Sequence, residues 1–484
     1  MSRLLISAAH KSSGKTTITI GLCAALNARG IKVQPFKKGP DFIDPMWLTT
    51  ASGRVCRNLD FYLMGRDEIV ETYQRYSDGA DVSLIEGNNG LYDGLDLDGS
   101  DSNAALAKLL QAPVVLVINT RGMTRGIAPL ILGYQAFDRD IRIAGVILNN
   151  LGGGRHESKL RSVIEHYTDV PVIGAVHHDK RLEIVERHLG LMPSNEAEAA
   201  VRRVNEIGVL VGAQVDLDRL LESASSAPPL PASTDHGADT RTCPPPQIRI
   251  GWAKDRAFGF YYAEDLDALH AAGAELVELD TLSDKRLPDV DGLFIGGGFP
   301  ELFMKELEAN ESLRAEIRQR IEDGMPVYAE CGGLMYLARS LTWHGQKHDM
   351  VGAIPGDVLM HEKPVGRGYI RLNETGENPW PNFAGLSSPA EVRGHEFHYS
   401  SLENLDESGL KFAYEVKRGH GIDGHRDGIV YKNVLASYAH LRSLENYNWA
   451  ARFAAFVREV REVKEAAAEK KWAAGNAARH GCAA

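Results

Sequence analysis

The sequence predicts an α/β protein with two separate domains, the first built on a parallel sheet. Short β-rich runs alternate with amphipathic segments from Arg3 to about residue 220, and a second alternation of this kind starts at Gln247. Between them lies SSAPPLPASTDHGADTRTCPPP, whose prolines and small polar residues lack the apolar periodicity of a core. The predicted organisation is a domain at 1–224, a linker at 225–246, a second domain at 247–460 and a charged helical tail at 461–484.

Composition narrows the possible function classes. The 484 residues carry a formal net charge of −11, which argues against a general nucleic-acid surface. No apolar run reaches the length that spans a bilayer, and the N-terminus lacks a secretory pattern, so we expect a cytoplasmic protein without a membrane partner. The five cysteines are odd in number and include no C-x-x-C pair, which favours a reducing compartment and argues against a thiolate metal site.

The first element is a strand that leads into a phosphate-binding loop. The segment RLLISAAHKSSGKTT at 3–17 fits the strand–loop–helix pattern G-x-x-x-x-G-K-[ST], except that Ala9 stands at the first glycine. Backbone N–H groups and the positive end of the following helix favour phosphate here, Lys15 meets the β- and γ-phosphates, and the Thr16 hydroxyl binds Mg²⁺. The predicted ATP-binding residues of this loop are Ser12, Gly14, Lys15, Thr16 and Thr17.

Further strands are predicted at 31–36, 82–86, 114–119, 143–149 and 172–176. Residues that follow parallel strands lie at the ligand-binding edge of such a sheet. We therefore expect Thr16, Asp41 and Glu86 to converge on one Mg²⁺ ion, with Glu86 as a Walker-B-like carboxylate. Asn149, at the end of its strand, is a candidate for the adenine ring or, alternatively, a turn former.

The second domain contains a strand–turn–helix typical of a nucleophile elbow, VYAECGGLMYL at 327–337. Cys331 stands where hydrolases place serine, and small residues two positions before and after it permit the tight turn. We expect the following helix to favour the thiolate, and the Gly332 N–H to point toward a developing oxyanion. The glycines at 296–298, which close the preceding strand, are expected to supply the second oxyanion donor.

Several downstream histidines are candidates for the base that the nucleophile needs. His440 is preferred because it follows the apolar strand VLASYA and can face the elbow at the same sheet edge. His395 and His398 have the i, i+3 spacing of metal ligands but no accompanying ligand cluster, so we expect structural or substrate-contact roles for them.

Taken together, these segments resemble the cobyrinic acid a,c-diamide synthase family, glutamine-dependent enzymes of the cobalamin pathway. The resemblance is carried by SSGKTT, KKGPDFID, GRVCRNLD, EG-x-x-GLYDG, AFGFYYAEDL, GGGFPE, AECGGLMYL, RGHEFHYS and ASYAH, and it covers nearly the whole chain. It implies an N-terminal P-loop domain like that of dethiobiotin synthetase and a C-terminal class I glutamine amidotransferase domain. We also expect a homodimer.

The resemblance implies a mechanism as well. Cys331 would attack glutamine, His440 would shuttle the proton, and Gly298 with Gly332 would stabilise the tetrahedral oxyanion while ammonia is released. ATP would phosphorylate the a and c acetates of a tetrapyrrole such as cobyrinic acid, and ammonia would convert each acyl phosphate to an amide.

The same resemblance assigns the remaining site residues. Asp44 and Asp93 match acids at the family's substrate pocket and are expected to orient the acetate or the ammonia. The expected cofactors are Mg²⁺ and ATP, and the expected partners are the tetrapyrrole and glutamine.

Three positions depart from the family pattern. Arg442 stands where many class I amidotransferases have a glutamate two residues after the histidine, so the resemblance implies a Cys–His dyad. Trp47 with Leu48, and Asn88 with Asn89, are unexpected residues on segments predicted to be loops lining the tetrapyrrole pocket. The macrocycle is therefore open between cobyrinic acid and sirohaem or sirohydrochlorin.

Two further classes of protein combine similar parts. A CTP-synthase-like enzyme joins the same two kinds of domain, but it should carry the glutamate that Arg442 replaces. A P-loop ATPase module with an inactive amidotransferase domain is disfavoured by the presence of Cys331, His440 and the glycines at 296–298.

Overall fold

The computed structural model describes residues 1–184, 186–187, 190–191, 200–231, 245–382 and 391–480. The chain forms two compact units, Met1–Ala238 and Asp239–Ala484. The predicted linker lies largely outside the described residues. On either side of it, a helix ends at Ser225 and the next strand begins at Ile248.

The first unit is organised on a seven-stranded parallel sheet with the order β3-β2-β4-β1-β5-β6-β7. Its strands are Ser2–Ala8 (β1), Val33–Lys38 (β2), Arg57–Leu59 (β3), Val82–Glu86 (β4), Val114–Asn119 (β5), Ile143–Leu151 (β6) and Val172–His177 (β7), and a short hairpin follows at Glu186–Arg187 (β8) and Gly190–Leu191 (β9). The helices are Lys15–Ala28 (α1), Ile43–Ser52 (α2), Arg66–Ser77 (α3), Asn103–Leu109 (α4), Ile127–Phe137 (α5), Gly154–Tyr167 (α6), Ala200–Gly212 (α7) and Leu217–Ser225 (α8). This arrangement confirms the predicted parallel α/β class.

Strand boundaries were predicted closely where apolar runs are bounded by polar residues. The predicted strands at 82–86 and 114–119 coincide with β4 and β5, whereas β2 lies two residues further along the chain than predicted. Val33 pairs with Val82, the first residue of β4, and this register carries β2 on to Lys38. Lys37 is thereby placed beside Glu86 inside the sheet.

The second unit contains a ten-stranded mixed sheet with the order β12-β10-β13-β15-β24-β23-β22-β19-β20-β25, and a four-stranded sheet with the order β17-β16-β18-β21. Its strands are Ile248–Ala253 (β10), Phe258–Phe260 (β11), Ala274–Leu279 (β12), Gly292–Ile295 (β13), Gly297–Gly298 (β14), Val327–Glu330 (β15), Ala338–Trp343 (β16), Gln346–Asp349 (β17), Ile354–Met360 (β18), Gly366–Glu374 (β19), Glu391–His398 (β20), Ser400–Glu403 (β21), Lys411–Arg418 (β22), Arg426–Tyr431 (β23), Val434–Ser437 (β24) and His440–Leu441 (β25). The helices are Ala263–Ala271 (α9), Met304–Ala309 (α10), Glu311–Glu322 (α11), Gly332–Leu337 (α12) and Trp449–His480 (α13).

The long C-terminal helix belongs to the core of this second unit at its start. Trp449, Phe453 and Val457, spaced four residues apart on α13, are fully buried. The Trp449 ring lies 5.1 Å from Phe294 and 4.8 Å from Tyr328, which are on two adjacent strands of the large sheet. In the described part of the chain, no helix has the length and apolar character needed to cross a membrane.

Candidate active site

The phosphate-binding loop of the first unit connects β1 to α1 at the centre of the sheet. Two residues in it, Ser12 (φ 63°) and Gly14 (φ 87°), take the left-handed conformation. A Cβ at Gly14 would lie 2.2 Å from Nδ2 of Asn149. The positive φ and this close approach therefore both favour glycine at this position. Thr17 lies half-buried in the first turn of α1. The turn therefore presents its N–H groups at the start of the helix, as phosphate binding requires.

Asn149 supports this loop from the end of β6. Its Nδ2 donates a hydrogen bond to the Ser13 carbonyl oxygen at 2.9 Å, and the side chain is buried. Ser13 in turn donates through its hydroxyl to the His10 carbonyl at 2.8 Å. The position of Asn149 gives it a loop-holding role, and contact with adenine stays a prediction.

Lys15 and Thr16 point toward the carboxyl ends of neighbouring strands. Nζ of Lys15 donates to the Asn89 carbonyl at 2.5 Å, and Oγ1 of Thr16 donates to Glu86 at 2.7 Å and to Asp44 at 3.2 Å. Burial, together with the charge of Lys37, lowers the pKa of Lys15 to about 8. An anionic phosphate would reverse part of that shift because it favours the charged amine.

Sequence reasoning gave no role to Lys37, which lies at the centre of the acidic cluster. Its ammonium lies 2.5 Å from Asp44, 2.9 Å from Glu86 and 3.8 Å from Asp41. Burial by itself would lower the pKa of Lys37, but the three carboxylates raise it well above its usual value. Burial likewise acts to raise the pKa of Asp44, yet the charge and hydrogen bond of Lys37 hold it below the usual range. The sequence signal that could have indicated this contact is the segment KKGPDFID, which holds Lys37 close to Asp41 and Asp44 along the chain.

The residues at this edge fit a Mg²⁺ ion that also takes phosphate oxygens. Oε2 of Glu86 is buried and has no hydrogen-bond partner among the described residues, and burial raises the pKa of this carboxyl. Thr16, Asp41 and Glu86 offer only oxygen donors, the type that Mg²⁺ prefers. No three His, Cys, Asp or Glu side chains are arranged to hold a metal by themselves within the residues that the structure describes. Such a site needs the phosphates of a nucleotide to complete it.

Asp93 lies beside the phosphate loop rather than in the Lys37 cluster. Its carboxylate accepts a hydrogen bond from the Gly90 N–H at 2.9 Å, which closes a turn after β4. A Cβ at Gly90 would lie 2.7 Å from this carboxylate and 2.8 Å from the Ala9 carbonyl. Asp93 is exposed, and its charge acts on Lys15.

Of the two residue pairs that left the identity of the macrocycle undecided, only one lies on a loop. Trp47 and Leu48 lie within helix α2 and are 1% and 0% exposed, so the expectation that they line a pocket is wrong. A helix of this kind turns its apolar side chains into the interior of the unit. Asn88 does lie on a loop, where its side-chain oxygen accepts from Lys38 at 3.2 Å.

In the second unit, the strand–turn–helix around Cys331 has the strained geometry of a nucleophile elbow. Cys331 has φ 48° and ψ −101°, between the end of β15 and the start of α12. Its N–H donates to the Ser437 carbonyl at 2.7 Å. A Cβ at Gly333 would lie 2.1 Å from the Ile295 carbonyl, so the small residue after the turn lets the helix approach the neighbouring strand.

The two predicted oxyanion donors are neighbours. A Cβ at Gly332 would lie 3.0 Å from the backbone nitrogen of Gly298. A Cβ at Gly298 would lie 1.9 Å from the Ala257 carbonyl, so a side chain is excluded there. Donation by both N–H groups to an oxyanion stays a prediction.

The surroundings of Cys331 oppose the thiolate that the following helix was expected to favour. Burial raises the pKa of the thiol above its usual value, and the charges of Glu301, Glu330 and Glu396 raise it further. Helix α12 has only six residues, too short a dipole to offset this environment. This environment favours the neutral thiol, so a nucleophilic role for Cys331, which stays a prediction, would require a base to take its proton.

His440 begins β25, just beyond the carboxyl end of β24, the strand next to the elbow. β24 is parallel to β15 with Ser437 opposite Glu330, and His440 follows three residues later. The imidazole is buried, stacks on His395 at 4.8 Å with an interplanar angle of 16°, and has Nδ1 at 3.3 Å from Oε2 of Glu330. The chain thus brings the predicted base to the same edge as the predicted nucleophile.

Of two neighbours of His440, Glu330 was not assigned from sequence, and His395 was expected to have a structural or substrate-contact role. Glu330 directly precedes Cys331, and it meets His440 because β24, which pairs with β15, leads into β25. His395 packs against His440 from β20, with Nδ1 at 3.1 Å from the Tyr262 hydroxyl, and burial holds its pKa well below the usual value. A neutral His395 does not repel a protonated His440. By contrast, His398 stacks on Tyr438 at 3.9 Å, a structural contact.

Comparison with known proteins adds sequence similarity to this geometry. Residues 5–191 match a CobQ/CobB/MinD/ParA nucleotide binding domain, and residues 249–448 match a CobB/CobQ-like glutamine amidotransferase domain. A cobyrinate a,c-diamide synthase of Magnetococcus marinus is 48% identical over 94% of this chain and 97% of its own length. Proteins of the same name from Methanosarcina acetivorans and Methanosarcina barkeri are 46% and 43% identical, over 91% and 95% of this chain and 92% and 97% of their own lengths.

Proposed function

The chain belongs to the cobyrinate a,c-diamide synthase family of glutamine-dependent, amide-forming ligases, and we propose that it uses ATP and glutamine to amidate the a and c acetates of cobyrinic acid. The observation that carries this proposal is the presence, on one chain, of a phosphate loop beside an acidic cluster and of a cysteine elbow beside a buried histidine. The first arrangement activates a carboxylate with ATP, and the second releases ammonia from glutamine.

In the ATP-dependent half-reaction, an acetate oxygen attacks the γ-phosphorus of ATP, ADP leaves, and an acyl phosphate forms. Ammonia then attacks the acyl carbon and inorganic phosphate departs, which leaves the amide. Lys15 and the loop N–H groups bind the β- and γ-phosphates, and Thr16, Asp41 and Glu86 would hold Mg²⁺. Bound Mg²⁺ neutralises charge on the phosphate oxygens. Asp44 and Asp93 are proposed to orient the acetate or the ammonia.

In the glutamine half-reaction, Sγ of Cys331 attacks the side-chain amide carbon while its proton passes to His440. His440 delivers this proton to the departing nitrogen, ammonia leaves, and a thioester remains that water hydrolyses to glutamate. Gly298 and Gly332 are proposed to donate to the oxyanion of the tetrahedral intermediate.

The buried position of Trp47 and Leu48 favours cobyrinic acid over sirohaem. Those two residues were one of the two departures that suggested a different tetrapyrrole pocket. Because they are buried within α2, they do not line a ligand-binding surface. A sirohaem or sirohydrochlorin amidase is the second candidate, supported by the loop residues Asn88 and Asn89 alone. The cytoplasmic location and the homodimer stay predictions.

The test supplies the purified protein with ATP, Mg²⁺ and glutamine, and offers cobyrinic acid, hydrogenobyrinic acid and sirohaem in separate reactions. Mass spectrometry of the products is expected to show two amides on cobyrinic acid, with ATP cleaved. Amidation of sirohaem without amidation of cobyrinic acid would establish the second candidate instead. If no macrocycle is amidated, the proposal is wrong.

A further inference from the structure

A buried carboxylate, Glu330, makes three contacts that fix both of its oxygens. Its Oε1 accepts hydrogen bonds from the Leu441 N–H at 3.0 Å and from the Tyr328 hydroxyl at 2.5 Å. Its Oε2 lies 3.3 Å from Nδ1 of His440. Tyr328 and Glu330 are two residues apart on β15 and so share one face of the strand. The carboxylate therefore cannot rotate without losing hydrogen bonds on the Oε1 side.

The usual source of a carboxylate for this histidine is absent, because the position two residues after His440 holds Arg442. The Arg442 guanidinium lies over the Tyr262 ring at 5.1 Å and 3.4 Å from Glu264, in a different set of contacts. Among the groups that face the His440 ring are Glu330 from β15, the stacked His395 from β20, and the backbone at Gly297, where a Cβ would lie 2.5 Å from the ring.

We propose that Glu330, the residue directly before the nucleophile, is the positioning carboxylate of the glutaminase centre and replaces the missing glutamate of a Cys–His–Glu triad. The inference rests on the proposed function of this site. Oε2 accepts the proton of Nδ1, which fixes the tautomer whose lone pair is on Nε2. Nε2 then takes the thiol proton as the C–S bond forms, and the carboxylate stabilises the resulting imidazolium until the proton passes to the departing ammonia.

Glu330→Gln tests the proposed tautomer of His440, because the two donors at Oε1 determine the orientation of the glutamine amide. Two donors, Leu441 N–H and Tyr328 O–H, meet at Oε1, so the amide oxygen takes that place and the NH₂ group faces Nδ1. The imidazole then keeps its proton on Nε2 and cannot accept the thiol proton. The corresponding amide substitution in a serine-protease triad lowers kcat by about 10⁴-fold, and we expect a loss of at least about 10²-fold in kcat for glutamine hydrolysis.

Asp265→Asn is the matched control. Asp265 is also a buried carboxylate, 2% exposed, and accepts from the Ser443 N–H at 2.6 Å, so it anchors the same segment from a different side. A purely structural role of the two carboxylates predicts similar losses in both variants. The positioning role predicts a loss below about 10-fold for Asp265→Asn, since only one hydrogen bond is weakened.

Three readouts separate positioning from folding and from failure of the proposed function. Ammonia-dependent amidation by Glu330→Gln should equal that of the parent protein, which shows an intact fold and a working ATP half-reaction. The KM for glutamine should change less than about threefold while kcat falls, because the carboxylate acts on proton transfer rather than on binding. The acidic limb of kcat/KM should move to lower pH in Glu330→Gln and stay in place in Asp265→Asn, because an opposite charge stabilises the imidazolium.

The inference is overturned if Glu330→Gln retains glutamine hydrolysis within about 10-fold of the parent, or if Asp265→Asn loses as much. The proposed function fails separately, through absence of glutamine-dependent and ammonia-dependent amidation in the parent protein itself. A parent that is active, with a Glu330→Gln variant active on ammonia alone, supports both.

Discussion

Replacing Lys37 with methionine is expected to destabilise the first unit by several kcal/mol. The substitution keeps the alkyl stem and removes the ammonium that lies 2.5 Å from Asp44 and 2.9 Å from Glu86. Glu86, which is fully buried, and Asp44, whose side chain is 14% exposed, then lose their closest counter-charge. Removing one partner of a buried ion pair costs about 3–5 kcal/mol, and the 4% exposure of the Lys37 side chain places this pair in that class.

Urea unfolding, followed by hydrogen exchange of backbone amides in β1 and β4, measures this loss in the unit concerned. With a urea dependence of about 3 kcal/mol per molar, the expected loss lowers the unfolding midpoint by at least about 1 M. Mg²⁺ together with ATP is expected to restore part of the stability in Lys37→Met, because a divalent cation held by the phosphates replaces the missing positive charge among the oxygen donors.

Lys38→Met is the matched control. Lys38 is the next residue on β2, is also buried, and donates a hydrogen bond to the neutral Oδ1 of Asn88 at 3.2 Å. Burial lowers its pKa, so an apolar replacement is expected to change stability by less than about 1.5 kcal/mol. Equal midpoints for Lys37→Met and Lys38→Met would refute the view that Lys37 neutralises the acidic cluster.

Three further outcomes follow from individual contacts. ATP binding at pH 8 should take up about 0.5 proton, seen by calorimetry in buffers of different ionisation enthalpy, because Lys15 has a pKa of about 8 and phosphate favours its charged form. Asn149→Ala should weaken ATP and GTP binding equally, by about 3–10-fold, because it removes the hydrogen bond to the Ser13 carbonyl. Alkylation of Cys331 by iodoacetamide should keep rising above pH 9, because burial raises the pKa of the thiol.

Each of these has a contrary result. Binding enthalpies that do not depend on the buffer would mean that Lys15 is already fully charged in the nucleotide-free protein. A loss restricted to ATP in Asn149→Ala would show that the amide reads adenine. An alkylation rate that levels off below pH 8 would reveal a stabilised thiolate at Cys331 and would restore the expectation from the helix.

Elements with strong local signals were predictable from sequence. The apolar runs of β4 and β5 gave both their boundaries and the parallel class, because fully buried strands read as continuous apolar segments. The elbow at Cys331 was predictable because its small neighbours are a local requirement of the turn. Gly14 and Lys15 were recognisable because the phosphate-binding loop is also defined by a local pattern, a strand followed by a short turn and a helix.

Contacts that depend on strand register were not predictable. Lys37 meets Glu86 because β2 starts at Val33, two residues later than the apolar pattern suggested, and that shift decides what the lysine touches. Glu330 meets His440 across two strands that are far apart in sequence. The protonation of Cys331 depends on the charges that the folded unit gathers around it, which a local motif does not contain.

The central claim is that one chain joins glutamine-derived ammonia to an ATP-activated acetate. The most direct measurement is amidation of cobyrinic acid by the parent protein and by Cys331→Ala, each supplied with glutamine or with ammonia. We expect the variant to lose activity with glutamine and to keep the parent rate with ammonia, because the ATP half-reaction uses none of the elbow. Amidation with glutamine that survives the loss of the Cys331 thiol, or a variant inactive with both nitrogen sources although it still binds ATP, would contradict the account.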